Sequence, residues 1–439
     1  MKILRLVLLA FMAGAAWAQE AAKIREYMDA AAKVEKFSGT VLVARKGQVV
    51  LEQSYGLADR VSNSPNRNAT KYYIGSMTKS ITATGIMALR DQGKVKLDAS
   101  ICVYLAPCPE QWKPIQVQHL LTHTSGVADI VRFPDFMELR TKPHTPQQLV
   151  ELIASRPTEF TAGAKFVYSN SNFILLATIL QKVCGMPYEE CLQKNVFREA
   201  GMTSSGNAAS AGKGLAIGYM RDGDNYREPD PSDTSIRFGA GSAYSTADDL
   251  MRLLRSLAAN KVLKPATVEE MWTDRGHGYG YGWFVENEHN RRAVGHNGRV
   301  DGYASSFRLF RDEDLVIVVL SNINGFNTER VSATLDAIEH GEPYKMPKER
   351  KFVSITAEKL AAYDGKYKLP WGLVLVVTHE GNQLFGRAEQ EKKPTEWKAE
   401  SETLFYVPPA DINIEFVRDA AGKVTMVFDG SAKAERIGD

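Results

Sequence analysis

Residues 73–91 read YIGSMTKSITATGIMALRD, a glycine turn opening onto an apolar run that predicts a helix from Met77 to Asp91. Three residues separate Ser76 from Lys79, so on a helix the hydroxyl and the amine share one face, one turn apart and within hydrogen-bond reach. A lysine so placed takes a serine's proton if a desolvated, cation-lined site keeps its amine neutral. Its ordinary pKa of about 10.4 must then fall toward working pH. The helix N-terminus also stabilises negative charge arising there. The spacing alone decides little, because chance supplies about one Ser-x-x-Lys in a chain this long. A second copy, Ser210-Ala211-Gly212-Lys213, sits in a Gly/Ser-rich stretch with no apolar helix behind it and is set aside.

Two other segments carry chemistry. Tyr168-Ser169-Asn170 follows Gly163 and is read as a loop before a helix over Ser171 to Val183. Loop residues at i and i+2 bring a phenol and a carboxamide to one cleft, the phenol as a proton relay and the amide as a holder of a substrate amide or carbonyl. His296-Asn297-Gly298 is read as ending a strand over Arg291 to Gly295, bracketed by Gly295 and Gly298 where a ligand or another backbone approaches closely. An edge strand here would pair with an extended substrate, and the backbone N–H of Arg299 would join that of Ser76 in an oxyanion hole. Gly302 fits the same tight geometry.

Outward from these segments the pattern is α+β. A helix over Ala21 to Lys36 precedes two strands, Gly39 to Ala44 and Gln48 to Tyr55, around a Lys46-Gly47 turn. Helices follow over Thr145 to Ser155 and Thr246 to Ala258. Strands then return over Tyr281 to Glu286, Tyr303 to Arg311 and Leu315 to Ser321, and a helix over Thr328 to His340 closes the region. The expected architecture is one antiparallel sheet built from both ends of the domain, with terminal helices on one face and an all-helical insertion on the other. Residues 343–353 read as a linker between a main domain (19–342) and a small β-rich barrel or sandwich (354–439) with turns at Glu380-Gly381-Asn382 and Asp419 to Gly422. That tail holds His379 but no cluster of acid, base and nucleophile, so it reads as an accessory module.

The 439 residues are 44% apolar and 24% charged with a net charge of +2, which excludes a disordered or coiled-coil chain and argues against nucleic acid as a partner. Lys2 and Arg5 precede an uncharged run ending in Ala16-Trp17-Ala18, the pattern of a signal peptide (1–18) cleaved after Ala18. The run is short of the roughly 20 apolar residues of a membrane span. An exported, periplasmic or extracellular protein is expected, with no membrane span after cleavage. The four cysteines form two close pairs, and of three connectivities the local bridges Cys102 with Cys108 and Cys184 with Cys191 are favoured, against four small buried hydrophobes.

The three motifs in this order resemble the serine β-lactamase and penicillin-binding-protein superfamily, in its branch of class C-like β-lactamases, D-alanyl-D-alanine carboxypeptidases, D-aminopeptidases and carboxylesterases. His119 to Gly126 (HLLTHTSG), Gly239 to Leu250 (GAGSAYSTADDL) and Gly302-Tyr303 match as well. The resemblance covers roughly Ala21 to His340, and the tail is similar to small β-rich domains that some of these proteins carry. It implies Ser76 as acylated nucleophile, Lys79 as the acceptor of its proton, Tyr168 as base or relay to the leaving group, and Asn170, His296, Asn297, Gly298 and Arg299 as substrate-binding residues. No cofactor and no metal are implied. One departure matters: β-lactamases have lysine where this chain has His296, and histidine near neutral pH is charged only in part.

The expectation is therefore a serine hydrolase acting on a small-molecule or peptide substrate, with D-amino-acid peptidase or carboxypeptidase and carboxylesterase ranked ahead of β-lactamase. The alternative is a penicillin-recognising protein with little turnover. The chain has no Gly-x-Ser-x-Gly elbow. His119 and His123 are spaced i, i+4 but lack the glutamate of His-Glu-x-x-His, and read as core or supporting histidines.

Overall fold

The computed structural model describes residues 18–439 except 223–224, 289–290, 371, 409, 411, 419–421, 423, 429–431 and 439. Residues 1–17 of the expected signal peptide and most of the Asp419 to Gly422 turn lie outside the described residues. The chain forms two compact units, the second comprising Met220–Arg227, Gly325–Asn327 and Pro347–Asp439.

In the first unit, helix α1 (residues 18–30) widens into a π-turn, Ala31–Glu35, that Lys36 closes in the left-handed conformation. The sheet contains β1 (Gly39–Arg45), β2 (Gln48–Tyr55), β3 (Phe284–Glu288), β4 (Arg291–Val300), β5 (Tyr303–Phe310) and β6 (Leu315–Ser321), in the spatial order β3-β4-β5-β6-β1-β2. All neighbours are antiparallel. Lys46 and Gly47 have φ of 47° and 80°, the two left-handed residues that a tight hairpin between twisted strands requires. Strands β1 and β6 are apolar runs, buried throughout but for Arg45, because both faces of the sheet are covered.

Side-chain alternation assigns the faces. Leu42, Ala44, Val316 and Val318 share a core with Ile81 and Ile86 of α2 (Thr78–Asp91) and Phe173 and Leu176 of α4 (Asn170–Cys184). On the other face α6 (Thr328–Glu339) packs against β5 and β6. Residues 171–180 of α4 are all buried, as befits the central helix of the helical region. Helices α3 (Pro146–Ala154) and α5 (Ala247–Ala258) begin where Thr145 and Thr246 accept backbone N–H groups as N-caps. The cysteines are paired as Cys102 with Cys108 and Cys184 with Cys191.

In the second unit, residues 365–438 form eight strands: β7 (Gly365–Lys368), β8 (Val374–Glu380), β9 (Gln383–Ala388), β10 (Thr395–Ala399), β11 (Leu404–Val407), β12 (Ile412–Arg418), β13 (Val424–Phe428) and β14 (Ala432–Gly438). Strand β14 pairs back onto β7, so the module is a closed barrel rather than a sandwich. Tyr367, Trp397, Phe405, Phe416 and Met426 fill it.

Several expected boundaries move, and three of the shifts matter for the site. Strand β4 does not stop at Gly295 but runs to Val300, because its glycines accommodate a neighbouring backbone instead of ending the strand. The expected strand Tyr281 to Glu286 is Phe284–Glu288. Helix α4 starts at Asn170, one residue into what reads as a loop.

Candidate active site

Gly75–Met77 form one 3-10 turn that leads directly into α2, with Gly75 at φ 51°. This turn is clamped from two sides. Thr78 donates to the Gly75 carbonyl (2.7 Å) and accepts from the Ala243 N–H (3.0 Å), while Ser305 of β5 donates to the Ile74 carbonyl (2.8 Å). A Cβ on Gly298 would lie 2.0 Å from the Ile74 oxygen, so only glycine lets β4 approach the turn this closely. Beyond the last β3 pair, Phe284 with Gly295, the strand is free of β3 and its edge runs beside the Ser76 turn.

Lys79 is 0% exposed. Its Nζ reaches three acceptors: Ser76 Oγ (2.9 Å), Asn170 Oδ1 (2.9 Å) and the Ala240 carbonyl (2.8 Å). Two of these can only accept, so a neutral amine gives its two N–H groups to them and turns its lone pair to Ser76. Burial pushes the Lys79 amine down to about 7, against the opposing pull of the Asp129 charge. Tyr168 stands with its ring centroid 4.9 Å from Lys79 Nζ. Burial raises its phenol, interaction with the Ser76 hydroxyl partly offsetting this, so the group is protonated at neutral pH.

Asp129 escaped the sequence reading. It is 4% exposed and takes the Asn170 backbone N–H (2.9 Å) and the Asn170 Nδ2 (3.2 and 3.3 Å). The carboxylate thus caps α4 in place of Ser169, which is why the helix begins early. It also fixes the carboxamide, whose oxygen faces Lys79 and whose nitrogen faces Asp129. Burial raises the Asp129 carboxyl and the hydrogen bonds from Asn170 lower it. The only sequence sign was an acid three residues beyond the end of the matched segment His119 to Gly126.

His123 is buried at φ 55°, with its Nδ1 accepting from the Ser169 N–H (3.1 Å) and its ring on that of Tyr168 (centroids 4.3 Å). The helix holding His119 ends at Leu121, so the i, i+4 spacing does not place the two histidines on one helix face. His296 is also buried. It shares a hydrogen with the Asn297 carbonyl through Nδ1 (2.6 Å) and meets the Tyr279 hydroxyl at Nε2 (3.1 Å). Burial pushes it down to about 3, with the Lys79 charge adding to the effect. The partial charge expected of this histidine is therefore absent at neutral pH.

The structure brings Ser76, Tyr168, Asn170 and Arg299 to one cleft of about 270 Å³. Asn297 is not there: its amide donates to Glu329 of α6 (2.7 Å). The cleft also contains Arg140, Arg237 and Asp301, none of them singled out from the sequence.

This chain belongs to the Beta-lactamase family, whose profile matches residues 21–342; a profile described as a domain of unknown function (DUF3471) matches residues 349–436. Penicillin-binding protein 4* of Bacillus subtilis (strain 168) is 28% identical over 431 residues, spanning 90% of this chain and 94% of that protein. Esterase EstB of Burkholderia gladioli is 26% identical over 360 residues, spanning 69% and 90%. The crystal structure of penicillin binding protein from Bacillus halodurans superposes with a TM-score of 0.62 at 27% identity, covering 69% of this chain and 96% of that one. The family sets the reaction class, and the protein is a serine hydrolase.

Proposed function

We propose that the protein is an exported hydrolase that cleaves an ester or amide through an acyl-enzyme on Ser76. The observation that carries this is the 2.9 Å contact between Ser76 Oγ and a buried lysine whose other two hydrogen-bond partners can only accept. Neutral Lys79 takes the Ser76 proton as Oγ attacks the carbonyl carbon. The developing oxyanion is held by the backbone N–H groups of Ser76 and Arg299. Collapse breaks the bond to the leaving group, which receives the proton from Lys79 through the Tyr168 hydroxyl. Water then attacks the acyl carbon, its proton passes back along the same path, and Ser76 is released. Tyr168 acts here as a relay rather than a tyrosinate base, since burial keeps its phenol protonated.

Asn170 orients Lys79, because Asp129 and Lys79 already engage both ends of its amide. At the β4 position where β-lactamases have lysine, His296 is neutral, so the strand itself presents no cation there, which favours a peptidase, amidase or carboxylesterase over a β-lactamase. Export is supported by the N-terminal run and the two local cysteine pairs. The domain limits we assign are 19–342, a linker at 343–353, and 354–439.

Intact-mass spectrometry tests the reading. The mature protein is incubated with a p-nitrophenyl ester, a D-alanyl-D-alanine peptide and a fluorescent penicillin while product is followed. Turnover of the ester or peptide, with a covalent adduct that is absent in Ser76→Ala, is expected. A stable penicillin adduct without turnover of any substrate would instead make it a penicillin-recognising protein, and equal turnover by Ser76→Ala would sink the proposal.

A further inference from the structure

One wall of the cleft carries a charge arrangement that acyl transfer does not use. Arg140 follows the short helix Phe136–Leu139, Arg237 ends the 3-10 turn Thr234–Arg237, and Asp301 sits in the turn between β4 and β5. Arg140 Nη2 donates to Asp301 Oδ2 at 2.5 Å, while Arg237 Nη1 stands 3.9 Å from the same oxygen, beyond hydrogen-bond reach. One carboxylate therefore faces two guanidiniums, and Arg140 has the shorter contact with it.

Arg237 is left short of partners. Its side chain is 21% exposed, and its Nε is buried with no hydrogen-bond partner among the described residues. Withdrawing a guanidinium from water without acceptors is costly, and arginine does not escape the cost by losing its proton. A ligand anion in the cleft would supply acceptors to the exposed part of the guanidinium, in the planar, two-point geometry that arginine favours.

The other cations near the cleft are accounted for. Arg299 lies 3.5 Å from Glu329, and Lys79 faces Ser76. The surplus positive charge therefore lies at Arg237. Much of the remaining wall is apolar, through Ile130, Phe136, Ile236 and Val300.

We propose that Arg237, assisted by Arg140, is the specificity determinant of this cleft and selects substrates that carry a carboxylate joined to the scissile ester or amide by a short apolar spacer. The proposal rests on the reading of Ser76 as the acylated residue. Asp301 holds Arg140 in place and sets how much positive charge the wall presents.

The test uses two matched pairs of esters on the full-length mature protein. Mono-4-nitrophenyl glutarate against 4-nitrophenyl valerate places the carboxylate in the acyl group; 3-carboxyphenyl butyrate against phenyl butyrate places it in the leaving group. In wild type, one anionic ester should exceed its neutral twin in kcat/KM by about tenfold, an advantage that shrinks as salt is raised. Arg237→Met should bring that ratio close to one, Arg237→Lys should keep part of it, and Asp301→Asn should raise it. The favoured pair identifies which part of the substrate carries the anion.

Neutral twins hydrolysed as well as both anionic esters, or a ratio unchanged in Arg237→Met, would overturn the proposal. If Arg237→Met does not fold, the salt dependence in wild type and the ratio in Arg237→Lys decide instead. Failure of the underlying hydrolase reading looks different: no ester would turn over at all, or Ser76→Ala would turn them over as well as wild type.

Discussion

The chain contains the Ser-x-x-Lys spacing twice, and the two copies have opposite fates. Ser76 and Lys79 sit at the start of a buried helix, with the amine held by two carbonyl-type acceptors and the serine hydroxyl. Ser210 and Lys213 are exposed; the Ser210 hydroxyl bonds to Glu189 and to the Asn207 carbonyl, and Gly212 and Gly214 turn the chain at φ 57° and 88°. The difference teaches that the spacing is only an address. Chemistry requires a helix to hold the pair in register and a dry surround to lower the lysine pKa.

The largest expected effect breaks or upholds this comparison outright. Ser76→Ala should lower kcat/KM for an activated ester by at least about 10³-fold, and Lys79→Met by about 10²-fold or more. Ser210→Ala and Lys213→Ala should leave it within about twofold and shift stability by less than about 0.5 kcal/mol. Comparable losses at the two copies, read in the same ester assay, would refute the distinction.

A smaller effect concerns the approach of β4 to the Ser76 turn. Gly298→Ala places a methyl group within 2.0 Å of the Ile74 oxygen, so the strand or the turn must shift. We expect kcat to fall by about 10²-fold, since displacements of about 1 Å cost that much, together with a lower Tm. Unchanged kinetics in a folded Gly298→Ala protein would show that the strand does not position Ser76.

The subtlest effect is on pH. On the proposed mechanism Lys79 acts when neutral, so kcat/KM should rise with pH through the amine's pKa of about 7. The Asp129 charge raises that pKa, and removing it lowers it. The acid limb of the profile for Asp129→Asn should therefore move to lower pH, while a limb that moves up or stays in place would show that Asp129 serves only as the cap of α4. A final check concerns the tail: a protein ending at residue 342 should fold and still acylate at Ser76, and a folded truncation that fails to acylate would assign the barrel a part in the site.

Much of this was legible because it is local. The hairpin at Lys46-Gly47, the apolar helix behind Ser76 and the alternation of the sheet strands follow from φ preferences and from hydrophobic periods that neighbouring residues set among themselves. Where reading failed, a distant group had intervened. Asn170 is helical because Asp129, 41 residues away, supplies the cap. Strand β4 passes through Gly298 because the backbone at Ile74 occupies the space a side chain would need, and through Gly295 because the Phe307 backbone of β5 does the same there.

The sequence by itself determined the α+β class and the hydrolase family and singled out Ser76, Lys79 and Tyr168, since those rest on periodicity and on three motifs met in one order along the chain. Only the tertiary structure decided the charge states and the company of those residues. It buried Lys79 against acceptors, neutralised His296, turned Asn297 away toward α6, and placed Arg237 beside a carboxylate already engaged by Arg140. The reason is physical: burial and Coulomb interactions depend on distances through space, and a linear order of residues carries no such distances until the chain has folded.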